Sequence, residues 1–230
     1  MKTKQNNIPI VFAVCVLFIA QMIVAQEATQ KENINYKWSF VARGEFGSKK
    51  RVAAISRDTS LKSGDEFKLL VHQIQRSYVY VIYKNSKNEI TMLFPYSFDM
   101  FEKEYVLEKN YYIPKGRDWF KLDKNIGTET FYILASSERL TDLESGLKEM
   151  NSAANDKKLE SANMVINEIR DIKKRFRTFS TLPERPVSIA GNVRGKKDTE
   201  IDPEKIDIAT MATEISANNF YSKTITIDHK

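Results

Sequence analysis

Residues 61–65 read Leu61-Lys62-Ser63-Gly64-Asp65, and residues 78–83 read Tyr78-Val79-Tyr80-Val81-Ile82-Tyr83. Residues 127–136 read Gly127-Thr128-Glu129-Thr130-Phe131-Tyr132-Ile133-Leu134-Ala135-Ser136. Leu93-Phe94-Pro95 stands between them. These are short runs of β-branched and aromatic residues punctuated by turns, the pattern of strands on a half-buried pleated surface. Gly64 supplies the unusual backbone angle of a turn, and Asp65 is suited to bond the turn backbone. In 78–83, Tyr78, Tyr80 and Ile82 fall on one face and Val79, Val81 and Tyr83 on the other. Apolar character on both faces predicts a central strand covered on both sides.

Working outward, Trp38, Phe40 and Ala42 alternate within 36–46 and predict a first strand. Lys49-Lys50-Arg51 reads as a solvated turn, with 52–55 a short strand after it. Further strands are expected at 67–73, at 89–94 after the polar loop 84–88, at 111–114, at 119–122 and at 128–135. Pro95 and Pro114 end their strands by removing a backbone donor. Roughly seven or eight strands spaced by turns predict an Ig-like β-sandwich or an open barrel over 36–140.

The period then changes. Residues 141–180 read as an amphipathic helix pair. The first helix, 141–151, has Thr141 as cap with Glu144 three residues on, the order of a capping box. The second, 156–179, carries Leu159, Ala162, Ile166, Ile169 and Phe176 at helical spacings, on one face. Arg170, Lys173, Lys174, Arg175 and Arg177 load its end with positive charge. That charge suits the negative end of the helix dipole; the sharper reading is a site for an anionic partner. In 181–230 the expectation is a proline-bounded linker at 182–186, a strand at 187–193 and a charged loop at 195–203. A terminal β-hairpin about Asn218-Asn219 then packs on the body. Thr224 and Thr226 alternate there with Ile225 and Ile227.

The N-terminus reads as a signal peptide over 1–25. Lys2 and Lys4 precede an apolar run at 8–20, and Ala25 is a small residue before Gln26. The alternative is an uncleaved membrane anchor, although the run is short for a span of roughly 20 residues. Residues 26–35 read as a flexible N-terminus. Cleavage removes Cys15, the only cysteine, so the mature chain has no disulfide and no thiolate site. It also lowers the net charge from +6 to +4. That is mildly basic with mixed signs, which does not imply nucleic-acid binding. The expected compartment is the periplasm, the cell envelope or the medium.

The central motifs resemble a bacterial domain of unknown function, the family numbered 4384. The resemblance is carried by Leu61 with Ser63-Gly64-Asp65, Tyr78-Val79-Tyr80-Val81, Leu93-Phe94-Pro95, Ile113-Pro114, and Gly127-Thr128-Glu129 leading into Leu134-Ala135-Ser136. It implies a small β-sandwich module of exported or envelope-associated proteins, sometimes appended to caspase-like protease or kinase domains. It therefore implies binding or positioning rather than catalysis, and it transfers no catalytic residue. No segment of these 230 residues reads as such a catalytic domain.

No catalytic, cofactor or metal residue is assigned. His72 and His229 are the two histidines, and no spacing joins them to a base or an acid. Ser136-Ser137 lacks a nucleophile elbow. Asp65 and Glu129 read as polar contacts to turn backbone, and glycines are too scattered for a phosphate loop. The aromatic set is the better clue. Tyr78, Tyr80, Tyr83 and Phe94 fit a sandwich core, whereas Tyr96, Phe98 and Phe101 follow the strand in a loop and, if exposed, suit a partner. Sheet-edge pairing is a further route to one. The sequence thus predicts a non-enzymatic exported module that binds another envelope or secreted protein. Its candidate contacts are Tyr96, Phe98, Phe101, Arg170, Lys173, Lys174 and Arg177. The alternatives are a hydrolase or carbohydrate-active protein, and a structural component of an envelope assembly.

Overall fold

Strand β1 (Ile34–Phe46) shows how sequence becomes layer. Ile34, Tyr36, Trp38, Phe40 and Ala42 all point to the principal core, while Val41 faces the opposite side. Successive side chains leave opposite faces of a strand, so this alternation commits β1 to lie with one face inward. The computed structural model describes residues 33–46, 49–177, 185–186 and 206–230, all within the unit Glu32–Lys230. The signal peptide, the expected strand at 187–193 and the charged loop at 195–203 lie outside the described residues. So does the expected flexible N-terminus up to residue 32; Ile34 and Asn35, which that expectation included, are instead paired in β1.

The remaining strands are β2 (Lys49–Ala54), β3 (Thr59–Leu61), β4 (Glu66–Gln73), β5 (Tyr78–Lys84), β6 (Ile90–Phe94), β7 (Asn110–Ile113), β8 (Phe120–Lys121), β9 (Gly127–Ser136), β10 (Arg185–Pro186), β11 (Thr213–Ala217) and β12 (Phe220–His229). Helices are α1 (Met100–Lys103), α2 (Thr141–Ser152) and α3 (Lys158–Arg175), with a 3-10 turn at Ile208–Met211. One sheet runs β10-β11-β1-β4-β7, with β2 also on β1 and β8 also on β4. The other runs β3-β12-β9-β5-β6. Pairing is antiparallel except between β12 and β3. The inward faces of both sheets share one core, in which Phe40, Phe67 and Phe131 meet ring to ring across 4.7–5.6 Å. The fold is therefore a β-sandwich, and neither sheet closes into a barrel.

The outer face of the second sheet is also buried. Tyr80, Ile82, Leu134 and Phe220 pack beneath Leu143 and Leu147 of α2 and Val165, Ile169 and Ile172 of α3. This is why β5 is apolar on both faces, as its sequence predicts. The helical stripe is rotated slightly from the expected one. Val165 and Ile172 are buried, and Leu159 is 56% exposed.

Four expectations are corrected. Lys49-Lys50-Arg51 is not a turn but the start of β2, in register with Phe46, Glu45 and Gly44 of β1. The linker reading of 182–186 fails at its described end, where Arg185–Pro186 pairs with β11. The capping box is absent. Leu140 is the N-cap residue without a side-chain cap bond, and Thr141 is already helical. The Glu144 carboxylate turns inward, taking the Tyr80 hydroxyl at 2.7 Å and the Arg139 guanidinium. Finally, β11 and β12 do not form a hairpin. β11 pairs with β1 and β12 with β9, so Asn218-Asn219 carries the chain from one sheet to the other. Asn33 clasps that crossing. Its Oδ1 accepts from the Asn219 N–H at 2.6 Å, and its Nδ2 donates to Asn219 Oδ1 at 2.7 Å. Splitting the two strands buries Ile215 and Ile225 in the shared core and covers one side of both β1 and β9.

Candidate functional site

The loop aromatics have structural surroundings. Phe101, in α1, is buried with ring contacts to Tyr78, Tyr80 and Tyr105 at 5.1–5.3 Å, which removes it from any partner surface. Tyr96 is half-buried against Phe94, and its hydroxyl donates to the Tyr112 carbonyl at 2.6 Å. Burial pushes its phenol pKa up to about 12. Phe98 packs partly against the helix-side core, with the Lys148 ammonium 5.1 Å from its ring. In α3, Arg170 donates to Asn167, and Lys173 Nζ donates to Thr224 Oγ1 of β12 at 2.9 Å. Lys174 and Arg177 are exposed. Phe98 thus lies beside Lys148 of α2 and Lys173 beside Thr224 of β12.

Asp65 acts on turn backbone as expected, with Oδ2 accepting from the Lys62 N–H at 2.8 Å. Glu129 does not. Nearly buried, it accepts a short hydrogen bond from the Tyr83 hydroxyl. Its Oε1 lies 3.6 Å from Nδ1 of His229, a distance at which no hydrogen bond forms. His229 Nε2 is 3.0 Å from Ser63 Oγ. Sequence spacing concealed this convergence, because β12 brings the end of the chain back beside β9 and β3.

Hydroxyl, imidazole and carboxylate here follow the order of a nucleophile relay. The same turn supplies no oxyanion donors, however. The N–H groups of Ser63, Gly64 and Asp65 donate to the carbonyls of Lys230, Leu122 and Lys62. An oxyanion formed on a substrate carbonyl by attack of Ser63 would therefore find no free backbone donor in this turn. Among the described residues no group of three or more His, Cys, Asp or Glu is arranged to hold a metal ion. No helix among them is long and apolar enough to cross a membrane.

The open feature is β6. It ends its sheet, with β5 on one side and no strand on the other. The Asn85 N–H donates to the Glu89 carbonyl at 3.0 Å, which sets the phase of the hairpin. By alternation Thr91 bonds toward β5, and the N–H and C=O groups of Ile90 and Met92 point away from it. Among the described residues, no hydrogen bond outside the β5 ladder reaches β6. The strand Ile-Thr-Met-Leu-Phe carries no charge and no proline, and its one break in register, between the Ile82–Met92 and Val81–Phe94 pairs, leaves 90–92 regular for an added strand. At β7, by contrast, the Tyr96 hydroxyl occupies the Tyr112 carbonyl.

A cleft flanks β6 on each face. Thr91 and Leu93 line one of about 410 Å³, walled by Phe67, Tyr83 and Phe120, into which Glu129 opens. Ile90 lines the other, of about 530 Å³, with Met150, Leu159 and Ala162 of the helices. The exposed Leu159 belongs to this second cleft.

Residues 60–139 match the family model described as Domain of unknown function (DUF4384). No curated protein and no solved structure matches the chain. The matched stretch runs from within β3 through β9 to the edge of α2 and includes β6 with the whole lining of the first cleft, while the helix wall of the second lies outside it. It leaves out β1, β11 and β12, without which β4 and β9 each lose a neighbour. Here the sandwich is completed by strands from outside the matched segment.

Proposed function

We propose that this chain is an exported, non-enzymatic β-sandwich module that binds an extended segment of another envelope or secreted protein by adding it as a strand to β6. The observation that carries this reading is the free, uncharged edge of β6 with a cleft on each face. Backbone bonding to an edge strand supplies affinity, and pockets for alternate side chains supply selectivity. The missing oxyanion donors at Ser63 favour binding over hydrolysis, and the export part rests on the signal pattern in residues 1–25.

The test places a photo-crosslinking residue at Thr91, whose side chain is exposed, in the full chain in its own cell. Adducts with another exported protein are expected, and they should vanish on adding Met92→Pro. That change removes an outward N–H and is tolerated in edge strands; a thermal melt checks the fold. Adducts that survive Met92→Pro, or that form equally from Arg170, refute the edge as the capture surface.

A further inference from the structure

The cleft lined by Thr91 and Leu93 has a definite chemistry. Glu129 is only 4% exposed, lower than Phe67 at 5% and Leu122 at 6% in the same lining. Its Oε2 is taken by Tyr83, while its Oε1, 3.6 Å from His229 Nδ1, receives no hydrogen bond from the described residues. A carboxylate oxygen that no protein group bonds is open to a charged donor entering the cleft, and such charge-assisted bonds are the strong ones.

The walls suit the same visitor. Phe67 and Phe120 stand 5.2 Å apart, and the Tyr83 ring is 5.0 Å from Phe131 behind them. Aromatic faces attract an ammonium or a guanidinium through their quadrupoles, most strongly where water is excluded. Glu89, Asp123 and Glu129 share the lining with Lys87 and Lys121, which leaves it with one more carboxylate than ammonium. The Asp123 carboxyl is held below its usual range, chiefly by the Asn125 backbone N–H.

We infer that this cleft receives a Lys or Arg side chain of the segment added to β6, with Glu129 Oε1 as its counter-charge. The inference rests on the strand-addition reading above. In an added strand every second side chain faces the same way, so one basic residue is required at one position of the alternating pattern, and its neighbours in sequence face the helix-side cleft.

The test pans a phage library of random octapeptides on the immobilised full chain. Selected sequences are expected to share one Lys or Arg at a fixed place in an otherwise β-forming pattern. A synthetic peptide of that sequence should bind at least tenfold more weakly when the basic residue is replaced by norleucine or Gln. Toward Glu129→Gln the basic and neutral peptides should bind within about twofold of one another, while Glu89→Gln keeps the preference. The peptide changes leave the protein untouched, so they decide the matter even if Glu129→Gln lowers stability. Peptides selected without a basic residue, or indifferent to its loss, overturn the inference and spare strand addition if Met92→Pro abolishes their binding. No selected peptide, or binding insensitive to Met92→Pro, overturns both.

Discussion

Tyr80→Phe removes one oxygen from the joint that fastens the helices to the sandwich. The side chain is fully buried, and its hydroxyl does two things. It donates to Glu144 Oε1 at 2.7 Å and accepts from the Leu140 N–H at 3.1 Å. Glu144 is also held by Arg139, which reaches on to Glu102 of α1 at 2.8 Å. One atom therefore links β5, the corner after β9 and the start of α2. The substitution leaves no cavity, so its cost is the lost bonding alone. A hydrogen bond to a charged group contributes about 1.5–3 kcal/mol, and a buried N–H left without an acceptor costs about 1–3 kcal/mol. Arg139 still neutralises Glu144, which argues for the lower part of the combined range, about 3 kcal/mol. For a protein of this size that is a fall in Tm of about 6–12 °C. Urea unfolding of the full chain, followed by circular dichroism, should show a lower midpoint with an unchanged slope. Tyr132→Phe is the control, because no hydrogen bond to the half-buried Tyr132 hydroxyl is found among the described residues; it should stay within about 0.5 kcal/mol. Combined with Glu144→Gln, the cycle should return a coupling of about 1–2 kcal/mol. A loss below about 1 kcal/mol for Tyr80→Phe, matched by Tyr132→Phe, would refute the account of this joint.

Phe101→Ala should destabilise by about 3–5 kcal/mol, as truncation of a buried aromatic does, whereas Phe98→Ala, half-buried at the surface, should cost less than half as much. Equal costs in urea melts would contradict the burial of Phe101. Gly44→Ala would place a methyl carbon 1.9 Å from Asp65 Oδ1, so the turn at Ser63-Gly64 must shift; a loss of about 1–3 kcal/mol is expected from such overpacking, and an unchanged midpoint would count against the contact. Burial raises the phenol pKa values of Tyr80, Tyr83, Tyr96 and Tyr105, with Glu144 and Glu129 adding to the first two. Folded values above the unfolded value of about 10 mean stability that is complete below pH 10 and declines as pH rises toward 12. Absorbance at 295 nm should show these tyrosines ionising only together with loss of near-UV dichroism; complete ionisation near pH 10 in a folded chain would contradict their burial.

Most elements were legible because they depend on neighbours in sequence. The alternation in 78–83, the turn at Gly64, the stops at Pro95 and Pro114 and the helical stripe from Ala162 to Ile169 are local patterns. Each was placed within a few residues. The misreadings share a different cause. Asn218-Asn219 is good turn chemistry whether the strands on either side pair together or part, and only the competition of β1 and β9 for neighbours decides it. Glu144 fits a capping box by spacing, but a buried Tyr80 hydroxyl and Arg139 offer its carboxylate better partners than a helix end in water.

The candidate site was the least legible part. Tyr83, Glu129 and His229 carry no mutual spacing, and their meeting requires β5, β9 and β12 to be adjacent in one sheet. The edge character of β6 has no sequence signal, since backbone N–H and C=O groups are alike in every residue and a strand's partners are set by sheet order. From its residues alone this chain has its strands, its turns, its helical face and its resemblance over the central third, because side-chain periodicity and turn chemistry act over a few bonds. Which strands adjoin, which carboxylate oxygen is left open and which edge stays unpaired belong to the tertiary structure, because they depend on groups far apart in the chain competing for the same neighbour.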